Sequence, residues 1–375
     1  MRVARWLSLA LLLPLAALGC APKVGPEPVW VGQLLSLDGP NRAIGQHARQ
    51  GVEQAVAEVR AAGQTVGGRP LAVLHVDDRG DAATVRAETV RLLTVNKAVA
   101  LLGDFDSSLT ERLVRESRPY GVPVVVPGEG GAEPEAVLSL AVPPAVRGNV
   151  LAKYASSELQ LRRAAVLTDS RWPAAVAFAA AFVKAWPNNP GGPIAEWSFA
   201  GDAERDECVS RLSKASPAVI VLACSLADFR ALRPRLTAAH PRTPLIYGGE
   251  DAGVLPLQAE LEASPDVYLA TAYSAEHLTE AGQAFARSYQ ERFHEAPDLY
   301  AAQSYDAARL LFAALARAGD AGKEAVAKEL SHLGELDSVT GPVRWKDRQP
   351  RRRVFLLALK KNRPEVIRVV EPEKD

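Results

Sequence analysis

The chain has 375 residues, enough for two domains with full cores. Lysine plus arginine and aspartate plus glutamate each number 44, so the formal charge cancels, and neither a basic field for nucleic acid nor an acidic tail is present. Hydrophobic residues make up 48%, which fits an ordinary globular protein.

Arg2 and Arg5 precede an apolar run from Leu7 to Leu18, interrupted by Pro14. The run is short for a membrane span and has the form of a signal-peptide core. It ends in Ala17-Leu18-Gly19-Cys20, small residues before a cysteine, which resembles the bacterial lipobox. That reading makes residues 1–20 a lipoprotein signal, Cys20 the lipidated mature N-terminus and 21–28 a short stiff tether. The plainer alternative is an ordinary signal peptide. Either way the folded part is extracytoplasmic, where disulfides are permitted.

Val29–Leu35 reads as a strand, followed by the loop Ser36-Leu37-Asp38-Gly39-Pro40 and a helix from about Gly45 with Ala48, Val52, Val56 and Val59 at helical spacing. Leu71–Asp77 is a second strand and Ala82–Val95 a second helix. Ala98–Leu102 is a continuous apolar run, as expected of a strand buried on both faces. Gly103 ends it. Ser107 and Ser108 stand where a helix N-cap belongs, and Ser108-x-x-Glu111 spells a capping box. Val122–Val126 is a fourth strand, and Pro127–Glu135 a glycine- and acid-rich loop.

The alternation then restarts. Helices over Gly148–Leu159, Ala174–Trp186, the segment with Cys208, and Asp228–Ala239 interleave with strands Ala164–Leu167, Ile194–Phe199, Ala218–Ala223, Leu245–Tyr247 and Val267–Ala270. Three helices follow, Ala281–His294, Ala302–Ala318 and Lys323–Leu333. Val343–Trp345, Val354–Leu359 and Val366–Val370 close the chain as short, partly antiparallel strands. Strands alternating with helices predict an α/β fold of parallel sheets with right-handed crossovers. Cys208, early in a helix, and Cys224, at the end of the next strand, fall at one sheet edge; a bridge and two buried free thiols both remain open. Six scattered histidines have no metal-ligand spacing, and no cofactor is expected. No Gly-x-Ser-x-Gly elbow or P-loop occurs, and no histidine stands at a suggestive spacing from Ser107, so an enzyme is not expected.

Several segments carry a resemblance. The block VGQLLSLDGPNRAIGQHARQGVEQAVAEVRAAG, the pair Asp77-Asp78, Gly103 through Ser107-Ser108 and Thr110, Val124–Pro127 and Gly341-Pro342-Val343-x-Trp345 occur in the order of corresponding motifs in the branched-chain amino acid binding family of type I periplasmic binding proteins. The chain resembles that family over essentially its whole mature length. The resemblance implies two Rossmann-like lobes with parallel sheets joined by three crossovers, near 142–145, 272–275 and 339–342. Lobe I would comprise 29–142 plus 275–338, and lobe II 143–272 plus 342–372. A small amino-acid-like or related polar solute would sit between them, with an ABC-type permease as membrane partner and Cys20 as lipid anchor. A ligand-sensing or envelope-assembly scaffold lipoprotein is the alternative.

By the same resemblance Ser107, with Ser108 beside it, would receive the ligand carboxylate at the helix N-terminus. Glu250 would hold an ammonium group, and Trp172 would cover the ligand from lobe II. Gly128-Glu129-Gly130 stands where the family often has Ala-x-Thr, which puts Gly128 and a carboxylate, Glu129, beside the site. With Asp104 and Asp106 nearby, the pocket reads as acidic, which opposes an anion. Ile44 and Ser225 occupy positions of family aromatics, so a cationic or polyhydroxylated ligand, an amide, or no small ligand stays open. From the residues alone, Ser107 and Ser108 could simply cap the helix, and Asp77-Asp78 more readily braces its loop than touches ligand. Phe105 covers lobe I or floors the cleft, Glu129 is solvent-exposed in the open state, and Arg351-Arg352-Arg353 is a solvated strand end.

Overall fold

The computed structural model describes residues 26–130, 137–187, 194–249, 266–319, 322–332, 334–360 and 363–372. The signal segment, Cys20 and Glu250 lie outside these residues.

The first sheet is built from β1 (Val29–Leu35), β2 (Leu71–Asp77), β3 (Ala100–Leu102), β4 (Val124–Val126) and β5 (Leu138–Ser139). Their order is β2-β1-β3-β4-β5 and every pairing is parallel. β3 and β4 are entirely buried, which is why the sequence shows unbroken apolar runs there rather than alternation. The crossovers are α1 (Arg42–Ala61), α2 (Ala82–Thr94) and α3 (Ser107–Ser117).

After β5 the chain enters α4 (Pro144–Lys153), which runs into a π-helical turn over Tyr154–Glu158. A second α/β array follows: β6 (Ala164–Asp169), α5 (Pro173–Ala185), β7 (Ala195–Phe199), α6 (Asp202–Ala215), β8 (Val219–Ala223), α7 (Leu226–Ala239), β9 (Leu245–Tyr247) and β10 (Val267–Thr271). Cys208 and Cys224 are both buried and neither is in a disulfide, so the possible bridge between them is not formed.

Helices α8 (Glu280–Phe293), α9 (Leu299–Ala318) and α10 (Lys323–Ser331) come next. α9 packs along α1 beneath the first sheet, and fifteen of its twenty residues are buried, so even Gln303, Ser304 and Asp306 are carried inside. Gly51 sets the spacing of that helix pair. A Cβ there would lie 2.2 Å from the Ala301 carbonyl oxygen, which is backbone and cannot step aside. In a free helix, Gly51→Ala would gain about 1 kcal/mol. Here the helices must separate, and the expected result is a net loss of about 1–3 kcal/mol, read by urea unfolding.

The chain closes with a three-stranded antiparallel sheet, β11 (Glu335–Ser338), β12 (Gly341–Lys346) and β13 (Gln349–Arg352), then β14 (Val354–Lys360) and β15 (Arg363–Val370). β14 and β15 extend the second sheet antiparallel at its edge, giving β15-β14-β10-β9-β8-β6-β7. The molecule is therefore two α/β lobes, the first completed by helices that return late in the chain.

Segments far apart in the chain are tied together here. Arg352 donates to the Leu140 carbonyl and to Thr340 Oγ1, and Trp345 Nε1 donates to the Ser139 carbonyl at 3.0 Å. The Asp306 carboxylate accepts the Val339 N–H at 3.2 Å, and Thr279 Oγ1 donates to the Val339 carbonyl at the same distance. The expectation of a solvated Arg351–Arg353 run is corrected here. Arg352 is buried because two oxygens from different segments replace its water.

Candidate functional site

The carboxyl ends of the parallel strands of the two sheets face one another, the edge where open α/β folds place ligands. From the first lobe, the loops after β3 and β4 bring Phe105, Gly128 and Glu129 to a cavity of about 30 Å³. From the second, the loops after β6 and β9 bring Trp172 and Gly249. The first turns of α9 supply Leu299, Tyr300 and Gln303. Of the sequence-expected site residues, Gly128, Glu129 and Trp172 thus meet; Ser107 and Ser108 do not border this space, and Glu250 is outside the described residues.

Three consecutive residues, Asp106, Ser107 and Ser108, could each cap α3. The structure uses Asp106. Its carboxylate accepts from Ser108 N–H at 2.8 Å, from Leu109 N–H at 3.2 Å and from Ser108 Oγ at 2.6 Å. The expected Ser108 capping box is therefore replaced by an aspartate cap, whose charge also answers the positive end of the helix. Ser107 becomes the first helical residue, fully buried, with its hydroxyl making no hydrogen bond. Ser108 is exposed and spent on the cap.

Behind Phe105 lies a chain of buried acids. Ser36 Oγ sits 2.8 Å from Asp78 Oδ1 and 3.3 Å from Asp104 Oδ2. One hydroxyl carries one proton, so it can donate to only one of two carboxylates. The geometry closes as a relay when Asp104 is protonated, donates to Ser36, and Ser36 donates to Asp78. Burial first, then the Asp78 charge, pushes the Asp104 carboxyl up to about 8; burial also raises Asp78. Asp104 Oδ1 takes the Phe105 N–H at 2.7 Å and so orients that residue. Asp77 braces the same loops, accepting from the Leu37 and Arg79 N–H groups at 2.9 Å each.

Glu129 is not solvent-exposed. It is 6% exposed and forms a close ion pair with Arg147, itself 1% exposed, across the junction between the loop after β4 and α4. The expectation of an acidic pocket is corrected by geometry on two counts, Glu129 being paired with Arg147 and Asp106 set on a helix terminus, and burial raises the proton affinity of Asp104. Gly128 contributes by having no side chain, since a Cβ would fall 2.6 Å from the Phe105 Cα. Ser139 Oγ donates to the Gly128 carbonyl at 2.7 Å and holds the loop.

Phe105 both covers the lobe and borders the cavity. It meets Tyr300 edge-on, centroids 4.8 Å apart at 88°. Across from them, Trp172 starts α5 beside an ion network in which Arg171 bonds Asp169 at 2.9 Å and Arg205 reaches Asp228. Ser225 caps α7, accepting the Asp228 N–H at 3.1 Å. Arg147, Tyr300 and Gln303 were not singled out from sequence. The one available signal was a glutamine within the apolar run of α9. Gln303 is 2% exposed, borders the cavity, and neither its amide nitrogen nor its oxygen has a hydrogen-bond partner. Among the described residues no group of three or more acids, histidines or cysteines is placed to hold a metal ion.

Residues 28–364 match the family model described as periplasmic binding protein. No curated protein matches the chain. Among solved structures it is similar to the leucine binding protein LivK of Thermotoga maritima, with TM-score 0.82 and 19% identity over 92% of this chain and 99% of that one. The substrate binding protein LivJ of Streptococcus pneumoniae, in complex with isoleucine, gives 0.80 and 21% over 92% and 100%. A solute binding protein of an R. palustris ABC transporter, in complex with benzoate, gives 0.73 and 20% over 92% and 97%.

Proposed function

The chain belongs to the periplasmic binding protein family, and from that premise we propose that it captures a small polar solute, amino-acid-like or related, between its lobes and delivers it to an ABC-type permease. The observation that supports this most directly is the shared cavity. Phe105 and Glu129 from one sheet and Trp172 and Gly249 from the other border the same space at the strands' carboxyl ends. Hinge closure would bury a solute there without any covalent step. In this reading Cys20 carries the lipid anchor outside the cytoplasmic membrane. A Cys20→Ser chain should then leave the membrane fraction, and retention there would count against the anchor.

A second reading is favoured by two observations. The cavity of about 30 Å³ is far below the several hundred Å³ of a typical ligand site, and α3 already has a carboxylate at its N-terminus. A scaffold that binds a protein through the same fold would show both features. A thermal-shift panel of amino acids, aromatic acids, amides, polyamines and sugars separates the two, because a ligand bound only by the native state stabilises by mass action. A shift of several degrees is expected for at least one class. Its complete absence would remove the solute-binding reading. The neighbours' isoleucine and benzoate leave the ligand class to be read from this chain's own residues.

A further inference from the structure

We propose that the interlobe cavity is specific for an uncharged aromatic or heteroaromatic carboxamide, and that Gln303 is the residue that reads it; this rests on the solute-binding reading above. Gln303 lies inside α9, 2% exposed, with donor and acceptor atoms both unpartnered and bordering the cavity. A buried amide left without partners has given up its hydrogen bonds to water with nothing in return, so the site is incomplete without a complementary group. A primary amide is that group: its N–H donates to Gln303 Oε1 while its carbonyl accepts from Nε2.

The charges argue against a free carboxylate. Such a ligand could take one hydrogen bond from Nε2, but its second oxygen would meet Gln303 Oε1, an acceptor like itself. The helix terminus that would receive an anion holds Asp106 instead. Arg147, the nearby cation, is paired with Glu129. The walls suit a flat ring. Phe105 and Tyr300 form an edge-on pair on one side, Trp172 stands on the other, and Leu299 adds apolar surface. At about 30 Å³ the space holds roughly one water, so the lobes must part to admit a ring and close on it.

The test uses the full chain with benzamide, nicotinamide, benzoate and leucine as probes in calorimetry and thermal shift. The expected result is benzamide or nicotinamide binding at least about 100-fold tighter than benzoate, as for sites built to pair a particular hydrogen-bonding group. Gln303→Met should abolish the amide shift while leaving the melting temperature without ligand unchanged or higher. Binding of benzoate or leucine in preference to the amides would overturn this inference and leave the solute-binding reading standing. No shift with any of the four, alongside a hit elsewhere in the wider panel, would also overturn it alone; no shift with any class would remove both. Should Gln303→Met fail to fold, the amide-to-acid ratio of the unaltered chain and the loss of amide binding in Trp172→Ala carry the test.

Discussion

Arg147→Met should lower the unfolding free energy by about 3–5 kcal/mol, because it leaves the Glu129 carboxylate buried without its cation. The size of the effect comes from the partner left behind and not from the attraction lost. A buried pair roughly balances desolvation against Coulomb energy, whereas a buried single charge has nothing to balance it. Combining Arg147→Met with Glu129→Gln removes the orphaned charge and should restore most of the loss. Urea unfolding of both single variants and the double variant gives the coupling directly. Simple addition of the two single effects would mean that the pair does not act as a unit.

The second large effect is in pH. Asp104 has its folded-state affinity for a proton raised, to about 8 from the usual 3.8, chiefly by burial. Between those values the folded chain holds a proton that the unfolded chain does not. The contribution to stability is then complete below about pH 4 and is lost as pH rises through about 8, a change of several kcal/mol. Asp306, also buried and raised to about 7, acts in the same direction. The chain should therefore melt at a higher temperature at pH 5 than at pH 8. Asp104→Asn fixes an N–H where the relay through Ser36 needs a proton. It should raise stability at pH 8 and flatten the slope. Asp78, itself raised by burial, faces the same group and stays in place, so a residual slope is expected. An unchanged slope in Asp104→Asn would place the proton elsewhere.

The order of elements was legible because parallel strands such as Ala100–Leu102 and Val219–Ala223 are buried on both sides and leave unbroken apolar runs. Local signals were ambiguous where several residues could do one job. Asp106, Ser107 and Ser108 are all good caps, and only the extended backbone at Asp106 decides among them. What could not be read is what crosses between lobes. Glu129 and Arg147 are eighteen positions apart on different elements, and neither flanking sequence hints that the other neutralises it. The acidity expected around Asp104 failed for a related reason: formal charges in a sequence are counted before burial moves protons. Gln303 stood in plain view in α9, but helical periodicity marks it as a buried position without saying that its amide would be unpaired.

Arg352 has a mechanical consequence. Its guanidinium joins Leu140, just after β5, to Thr340, between β11 and β12. Two strands of a connector bonded to one planar group behave as a ribbon. A ribbon bends easily across its width and resists being wrung about its length. If the lobes close on a solute as proposed, such a brace would confine opening toward a single axis, and a membrane partner touching both lobes would sense one angle rather than a continuum of poses.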